Sequence, residues 1–212
     1  MNISDSVIDM KQYEGKDRLD VMFEKQEMLR DLYKVLGPKV SVADLDLPEH
    51  QHILREFAWN VCEETGEVLD VVFGTNDREH IIDETSDSLS FYLELLALSG
   101  MSVEDFAPSQ AHSGDKLDYW FKMSLEQYST SSIREIHSLF LEKLALAINN
   151  LKNRKWRKTN LKTNKLIYRK ALYDTFIPFL MFVNLVGLTP ETLFDGYLRK
   201  TEVNLFRINS RY

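Results

Sequence analysis

The sequence has very little cysteine, no long apolar run and little of the alternating pattern that β-strands show, and each absence excludes a class of protein. Its single cysteine, Cys62, excludes an internal disulfide and indicates a reducing compartment. No apolar run reaches the roughly 18 residues that a membrane-spanning helix needs. The N-terminal residues lack the basic region and apolar stretch that secretion requires. We therefore expect a cytoplasmic protein of one domain, since 212 residues suffice for one sizeable core.

Common catalytic motifs are also absent. The sequence contains no Gly-rich phosphate loop and no recognisable Ser/His/Asp arrangement, and its five histidines form no cluster in the sequence. The stretch "EHQH" at 49–52 holds one E-x-x-H motif, whereas a di-iron bundle normally needs two. A net charge of −7 disfavours direct binding of nucleic acid. Any catalysis should therefore depend on carboxylates.

What the sequence does contain is helical periodicity along almost its whole length. Apolar residues recur at intervals of three and four, which predicts an all-α fold. The first helix should end at Gly37–Pro38, the second should begin near Pro48 and end at Gly74, and the third should end at Gly100. The predicted spans are 17–36, 48–74, one ending at 100, 115–128, 132–152, 160–186 and 190–205. Residues 106–114 are the best candidate for a linker between a first half, 1–106, and a second half, 115–212.

The two halves resemble each other. Shifted by 87 residues, "DSLSFYLELLALSGMSVE" at 87–104 aligns with "DTFIPFLMFVNLVGLTPE" at 174–191, which suggests an internal duplication. Two amphipathic helices that each end in glycine would also share several of these positions. The second half lacks the acidic residues of the first, because Glu64 and Glu67 align with Leu151 and Arg154.

Acidic residues are concentrated on two adjacent predicted helices. The stretch "NVCEETGEVLD" at 60–70 carries Glu63, Glu64 and Glu67, and Glu84 and Asp87 follow on the next helix. Residues three apart share a helical face, so a short turn can bring the two faces together. Converging carboxylates need a cation, and hard oxygen ligands select Mg²⁺ or Mn²⁺. The alternative is a solvated acidic face.

Gly66, inside the same helix, suggests that a neighbouring helix approaches it closely, because glycine is costly in helix interiors.

A basic segment in the second half has the opposite charge. Residues 152–170, "KNRKWRKTNLKTNKLIYRK", hold nine Lys or Arg and no Asp or Glu. Such a segment can neutralise phosphates, and a solvated helix face is the alternative. Lys155 and Arg157 are the candidate phosphate-binding residues here.

Several of these motifs resemble the all-α nucleoside triphosphate pyrophosphatases, which comprise MazG-like proteins and dimeric dUTPases. "EETGE" followed by "ETSD" is similar to their E-E-x-x-E and E-x-x-D pattern. The C-terminal "YLRKTEVNLFRINSRY" at 197–212 resembles the Y-x-x-K-N-x-x-N-x-x-R-Q-x-x-G-Y ending of dimeric dUTPases and phage dCTP/dUTP pyrophosphatases. Thr201, Ile208 and Arg211 depart from that ending. "MFEKQEML" at 22–29 resembles the first helix of the family, and "RKWRK" resembles its Lys and Trp motif.

The resemblance implies a homodimeric, Mg²⁺-dependent hydrolase of helical-bundle type that converts dUTP or dCTP to the monophosphate and pyrophosphate. The metal ligands would be Glu64, Glu67, Glu84 and Asp87, and Glu63 would orient or deprotonate the attacking water. Substrate-binding residues implied by the motifs are Gln26 for the pyrimidine and, for the rest of the nucleotide, Lys155, Arg157, Lys200, Asn204, Arg207 and Tyr212.

Two alternatives stay open at this point. The protein could be a MazG-like house-cleaning enzyme for other or modified nucleotides, or a non-catalytic nucleotide sensor with the same fold. The C-terminal segment from 197 could close over bound nucleotide as a mobile lid, or dock permanently as a final helix through Leu198, Val203, Leu205 and Phe206.

Overall fold

The computed structural model describes residues 9–33, 42–108 and 113–210, and within them it is all-helical, with no strand. This confirms the predicted fold class. The helices are α1 (Arg18–Tyr33), α2 (Pro48–Phe73), α3 (Arg78–Leu98), α4 (Lys116–Tyr128), α5 (Ile133–Asn149), α6 (Lys165–Tyr173), α7 (Phe176–Leu185) and α8 (Pro190–Ser210). Short 3-10 helices occupy Met10–Tyr13, Val42–Asp46 and Val103–Phe106. The predicted end of the first helix at Gly37–Pro38 and part of the predicted linker, 109–112, lie outside the described residues.

Local sequence signals explain how α2 and α3 form the hairpin that carries the acidic residues. Pro48 begins α2, where its missing N–H would have no helical partner in any case. After the turn at residues 74–77, the Asp77 side chain accepts hydrogen bonds from the N–H groups of Glu79 (3.0 Å) and His80 (3.3 Å) and so caps α3. Gly100, with φ of 73°, follows the end of α3. The start of α2 near Pro48 and the end of α3 at Gly100 were predicted, whereas the cap at Asp77 was not. Together these features form the hairpin in which the two acidic faces lie against each other.

The predicted single helix over 160–186 is wrong, because the chain breaks between α6 and α7. Asp174 ends α6 and Thr175 precedes the first residue of α7. Pro178 is the reason: inside one continuous helix its ring would clash with the carbonyl of residue 174 and its missing N–H would break the ladder. In the observed fold Pro178 occupies the first turn of α7, where neither problem arises. The helix predicted over 132–152 is also shorter, ending at Asn149.

One continuous apolar core runs through both halves of the chain, which supports a single domain. Helix α3 lies at its centre, packed against α1, α2 and α8, while α7 packs against α4 and α5. Tyr92 of α3 is completely buried, and its hydroxyl is 2.6 Å from the Thr175 hydroxyl at the break before α7.

The positions of the helices agree with the 87-residue repeat. Shifted by 87, the bounds of α3 fall on residues 165 and 185, where α6 begins and α7 ends. Gly187, the counterpart of Gly100, also has positive φ, at 93°. Internal duplication nevertheless stays a prediction, because any two helices with such ends share these features.

No single helix among the described residues is long and apolar enough to cross a membrane. One pair of segments reaches the required length and hydropathy only when counted together, namely 165–185 and 190–208. The chain bends by 97° between them.

The close helix approach expected at Gly66 occurs instead at Gly196. Apart from its chain neighbours and the backbone of its own helix, a methyl group placed on Gly66 would meet no described atom within 4 Å, so the interpretation of Gly66 is wrong. On Gly196 of α8, a methyl group would lie 2.5 Å from Ser86 Oγ and 2.8 Å from Ile82 Cγ2. The absence of a side chain at Gly196 is therefore what allows α8 to lie directly on α3, and this contact positions every residue that α8 contributes to the candidate site.

Alanine substitutions at these two glycines should have opposite effects on stability. Gly66→Ala should stabilise the protein by about 0.5–1 kcal/mol, because alanine favours the helix and has room there. Gly196→Ala should destabilise it by about 1–3 kcal/mol, because the added methyl overpacks the α3–α8 contact. Denaturant unfolding of both variants beside the wild type measures the difference, and equal effects would contradict this packing.

Candidate functional site

Three carboxylates converge where α2 lies against α3. Glu64 of α2 and Glu84 and Asp87 of α3 each offer an oxygen, and these oxygens lie within 4.8 Å of one another. All three side chains are half-buried. The predicted ligand Glu67 is exposed and outside this group, and Glu63 is also exposed on α2. The structure thus brings together three of the four predicted metal ligands.

The electrostatics of the cluster show that the carboxylates repel one another. Burial, followed by the charges of Asp87, Glu67 and Glu84, raises the pKa of the Glu64 carboxyl from 4.5 to about 7, while the Lys200 charge opposes the shift. Burial also raises the pKa of Asp87, against the hydrogen bond and charge of Lys200. Although Glu67 lies outside the group, its charge therefore reaches the cluster.

The donor set fits a hard divalent cation. It consists only of carboxylate oxygens on two adjacent helices, which suits Mg²⁺ or Mn²⁺ better than softer metals. Burial and the neighbouring carboxylates disfavour the ionised form of Glu64, and a bound cation would offset this cost. A fully solvated acidic face describes Glu63 and Glu67 but does not describe Glu64, Glu84 and Asp87.

The raised pKa of Glu64 predicts how stability depends on pH without metal. Because folding raises this pKa, the folded state holds the proton more tightly, so this group's stabilising contribution is complete below 4.5 and is lost as pH rises through about 7. Thermal unfolding in the presence of chelator measures this. As pH rises from 4.5 to about 7, the stability of the wild type should fall relative to that of Glu64→Gln.

The exposed Glu63 offers the control for this measurement. Glu63→Gln removes a neighbouring carboxylate from the same helix and should keep the pH dependence of the wild type. Parallel curves for the wild type and Glu64→Gln would contradict the assignment of the titration to Glu64.

Helix α8 supplies the cationic side of the site. Lys200 Nζ forms a hydrogen-bonded ion pair with Asp87 Oδ2, and both side chains are 21% exposed. Asn204 and Arg207 follow four and seven residues later, which places them on the same face of α8. The cation nearest the carboxylate cluster therefore comes from the C-terminal motif.

These groups open onto one cavity of about 480 Å³, bounded by α1, α2, α3 and α8. Six residues predicted from sequence contribute to its lining: Gln26, Glu64, Asp87, Lys200, Asn204 and Arg207. The fold therefore unites the first-helix motif, the acidic motifs and the C-terminal motif around a single space.

The basic segment does not join this cavity. Lys155 and Arg157 lie between α5 and α6 and are not among the lining residues. Their segment docks on the start of α2: Asn153 N–H donates to Gln51 Oε1 at 2.7 Å, and Arg55 donates to the carbonyl of Asn153 at 2.8 Å. Their role in phosphate binding stays a prediction, and Tyr212 lies outside the described residues.

Sequence reasoning missed two residues at the far end of the cavity. Glu94 and Arg30 both line it and are buried. Gln26 Nε2 donates to Glu94 Oε2 at 3.0 Å, and the hydroxyl of Tyr197 donates to Gln26 Oε1 at 3.0 Å. The signal for Glu94 was available, because it lies seven residues after Asp87 on the same face of α3, within an apolar run.

His80 was missed beside the carboxylates. Its Nε2 lies 2.8 Å from Glu84 Oε1, a contact between residues four apart on the exposed edge of α3. This spacing was visible in the sequence.

Comparisons with family models, with curated proteins and with solved structures found no match. What the fold and the site define is an all-α protein in which a half-buried carboxylate cluster and a cation-bearing helix share one cavity.

Proposed function

We propose that the protein is a Mg²⁺-dependent nucleoside triphosphate pyrophosphohydrolase that converts a pyrimidine deoxynucleotide, dUTP or dCTP, to its monophosphate and pyrophosphate. One observation carries the proposal: the cavity that contains Glu64 and Asp87 is also lined by Lys200, Asn204 and Arg207. A metal-bound triphosphate needs carboxylates that bind the metal ion. It also needs basic side chains that neutralise the remaining phosphate charge. The motif resemblances in the first helix, in the two acidic helices and in the C-terminal segment support the same activity.

The residues have distinct roles in this proposal. Glu64, Glu84 and Asp87 would hold Mg²⁺, or Mn²⁺, with Glu67 joining them from the next turn of α2. When bound, the metal would supply charge compensation for the phosphates and lower the pKa of the attacking water. Glu63, exposed on α2 one residue before Glu64, is the proposed group that orients or deprotonates this water.

Lys200 and Arg207 bind the phosphates through charge-assisted hydrogen bonds. Lys200 already lies against Asp87, which supports a role for Lys200 beside both the carboxylates and a bound phosphate. Gln26 receives the base at the other end of the cavity. Its amide is oriented by Glu94 on one side and Tyr197 on the other, which fixes the direction of its remaining N–H.

A homodimer follows from the resemblance, and the expected cytoplasmic location rests on the single cysteine. Both belong to the same proposal. A house-cleaning role toward other nucleotides would use the same carboxylates with a different base preference. A non-catalytic sensor would bind nucleotide without hydrolysing it.

A panel of deoxynucleoside triphosphates tests the proposed reaction. With Mg²⁺, dUTP or dCTP should yield pyrophosphate and monophosphate in equal amounts, and chelator should abolish the reaction. Release of orthophosphate instead would contradict cleavage between the α and β phosphates. Binding without hydrolysis would identify a sensor, and preference for a purine substrate would favour the house-cleaning alternative.

A further inference from the structure

Glu94 is a buried carboxylate with an unused acceptor at the end of the cavity opposite the metal cluster. Its side chain is 4% exposed and contributes to the cavity lining. Glu94 Oε2 accepts from Gln26 Nε2 at 3.0 Å, whereas Oε1 accepts no hydrogen bond from any residue that the structure describes. A buried acceptor without a hydrogen-bond partner is costly and rare. Glu94 Oε1 therefore needs a donor that the described residues do not provide.

Arg30 presents the complementary donor. It lies one turn after Gln26 on α1, lines the same cavity and is 7% exposed. One guanidinium nitrogen is 3.3 Å from Glu27 Oε1, but Nε donates to no described residue. Burial raises the pKa of Glu94, and both the Gln26 hydrogen bond and the Arg30 charge oppose that shift. At this end of the cavity lie one unpartnered acceptor, Glu94 Oε1, and one unpartnered donor, Arg30 Nε, beside the second hydrogen of Gln26 Nε2. Protein atoms cover both unpartnered atoms, so a ligand reaches them only when these side chains shift towards the cavity.

The separation of the two ends suits a nucleoside. Glu94 is seven residues beyond Asp87 on α3, which is about 10 Å at 1.5 Å per residue. This span is comparable with the length of a nucleotide from its first phosphate to the far edge of the base. Between the ends, the rings of Phe57 and Phe91 line the cavity with their centroids 6.1 Å apart. Aromatic side chains suit the faces of a planar base.

We propose that Glu94 Oε1 accepts a hydrogen bond from the exocyclic amino group of the base, so that the cavity selects cytosine over uracil nucleotides. This inference rests on the proposed function. An ionised carboxylate can only accept, and the cytosine 4-amino group is a donor, a pairing used elsewhere in base recognition. Uracil carries a carbonyl at that position, which would place two acceptors face to face. The donors of Gln26 and Arg30 match the N3 and O2 acceptors of cytosine.

The uracil N3–H is a weaker alternative partner for Glu94. It lies between two carbonyls, so a carboxylate that approaches it also approaches one of them. An acceptor–acceptor contact of this kind discriminates by repulsion as well as by the missing bond.

The test compares dCTP with dUTP for the wild type, Glu94→Gln and Glu24→Gln. Glutamine has nearly the same shape but can donate to the uracil carbonyl, so Glu94→Gln should lower the dCTP-to-dUTP ratio of kcat/KM by about 5- to 150-fold. Glu24, an exposed residue of α1 that does not line the cavity, provides the matched loss of one carboxylate. Glu24→Gln should keep the wild-type ratio.

An unchanged ratio in Glu94→Gln, or an equal loss with both substrates, would overturn the inference and leave the proposed function intact. If the wild type neither binds nor hydrolyses either nucleotide, both proposals are overturned. Calorimetric titration of the wild type with dCMP and dUMP gives a second measurement that needs no variant. Tighter binding of dCMP supports the selection, and equal affinities overturn it.

Discussion

Replacing Glu64 with glutamine is expected to lower the rate of pyrophosphate release by at least about 100-fold, because even residues that only support metal ligands cost 10- to 100-fold when changed. The same variant should be at least as stable as the wild type without metal. Glutamine removes a half-buried charge that Asp87 and Glu84 repel. Two measurements on the same protein preparation test these effects: pyrophosphate release with Mg²⁺, and thermal unfolding in the presence of chelator.

Asp87→Asn should lose activity to the same extent, and its gain in stability without metal should be smaller than that of Glu64→Gln. Both substitutions relieve the burial and repulsion of a carboxylate charge. The structure separates them, because Asp87 is the hydrogen-bonded partner of Lys200, and the loss of this contact offsets part of the relief. Near-normal turnover in either variant would remove the proposed ligand set.

Asp174, the counterpart of Asp87 under the 87-residue shift, is the control for both variants. It follows α6, is 41% exposed and pairs with Lys170. Asp174→Asn should retain metal-dependent activity, since the other members of the acidic cluster have no counterparts in the second half. A loss of activity as severe as that of Asp87→Asn would mean that the active site lies in the second half of the chain, contrary to the assignment made here.

Deleting residues 198–212 is expected to unfold the protein rather than only inactivate it. Leu198 and Thr201 are 2% and 1% exposed, and α8 packs against both α1 and α3. Loss of one buried leucine side chain typically costs about 2–5 kcal/mol, which is a large part of the stability of a domain. The first part of the predicted lid is thus a docked helix.

The boundary of any movable segment lies further along α8. Residues 202–208 are half-buried or exposed, and they include Asn204 and Arg207. Deleting 202–212 should therefore preserve the fold while weakening nucleotide binding. Unfolding of both truncated proteins would contradict this boundary, and limited proteolysis with and without a non-hydrolysable dUTP analogue shows whether nucleotide protects the segment.

Arg207→Ala isolates the contribution of this segment to binding. It should weaken nucleotide binding by about 1.5–3 kcal/mol, the range for losing a hydrogen bond to a charged group. Folding stability should change little, because the residue is exposed. Arg199→Ala is the matched control, since Arg199 is also exposed on α8 but pairs with Glu79 and does not line the cavity. Equal effects of the two substitutions on binding would contradict the role of Arg207.

The sequence by itself determined the all-α class and many helix ends. These depend on interactions within a few residues: the missing N–H of Pro48, the cap at Asp77 and the conformation of Gly100. It also determined that Glu84 and Asp87 share a face, because helical periodicity alone places residues three apart together.

Only the tertiary structure decided which of these features meet. Lys200 pairs with Asp87 across 113 residues, and Gln26 with Glu94 across 68. Such contacts depend on the path of whole helices, which Gly196 sets by allowing α8 to lie on α3. The same packing keeps Lys155 and Arg157 out of the cavity lining although their charges suit phosphate. Charge and periodicity act locally along the chain, whereas the members of a site are chosen by the packing of side chains from distant segments.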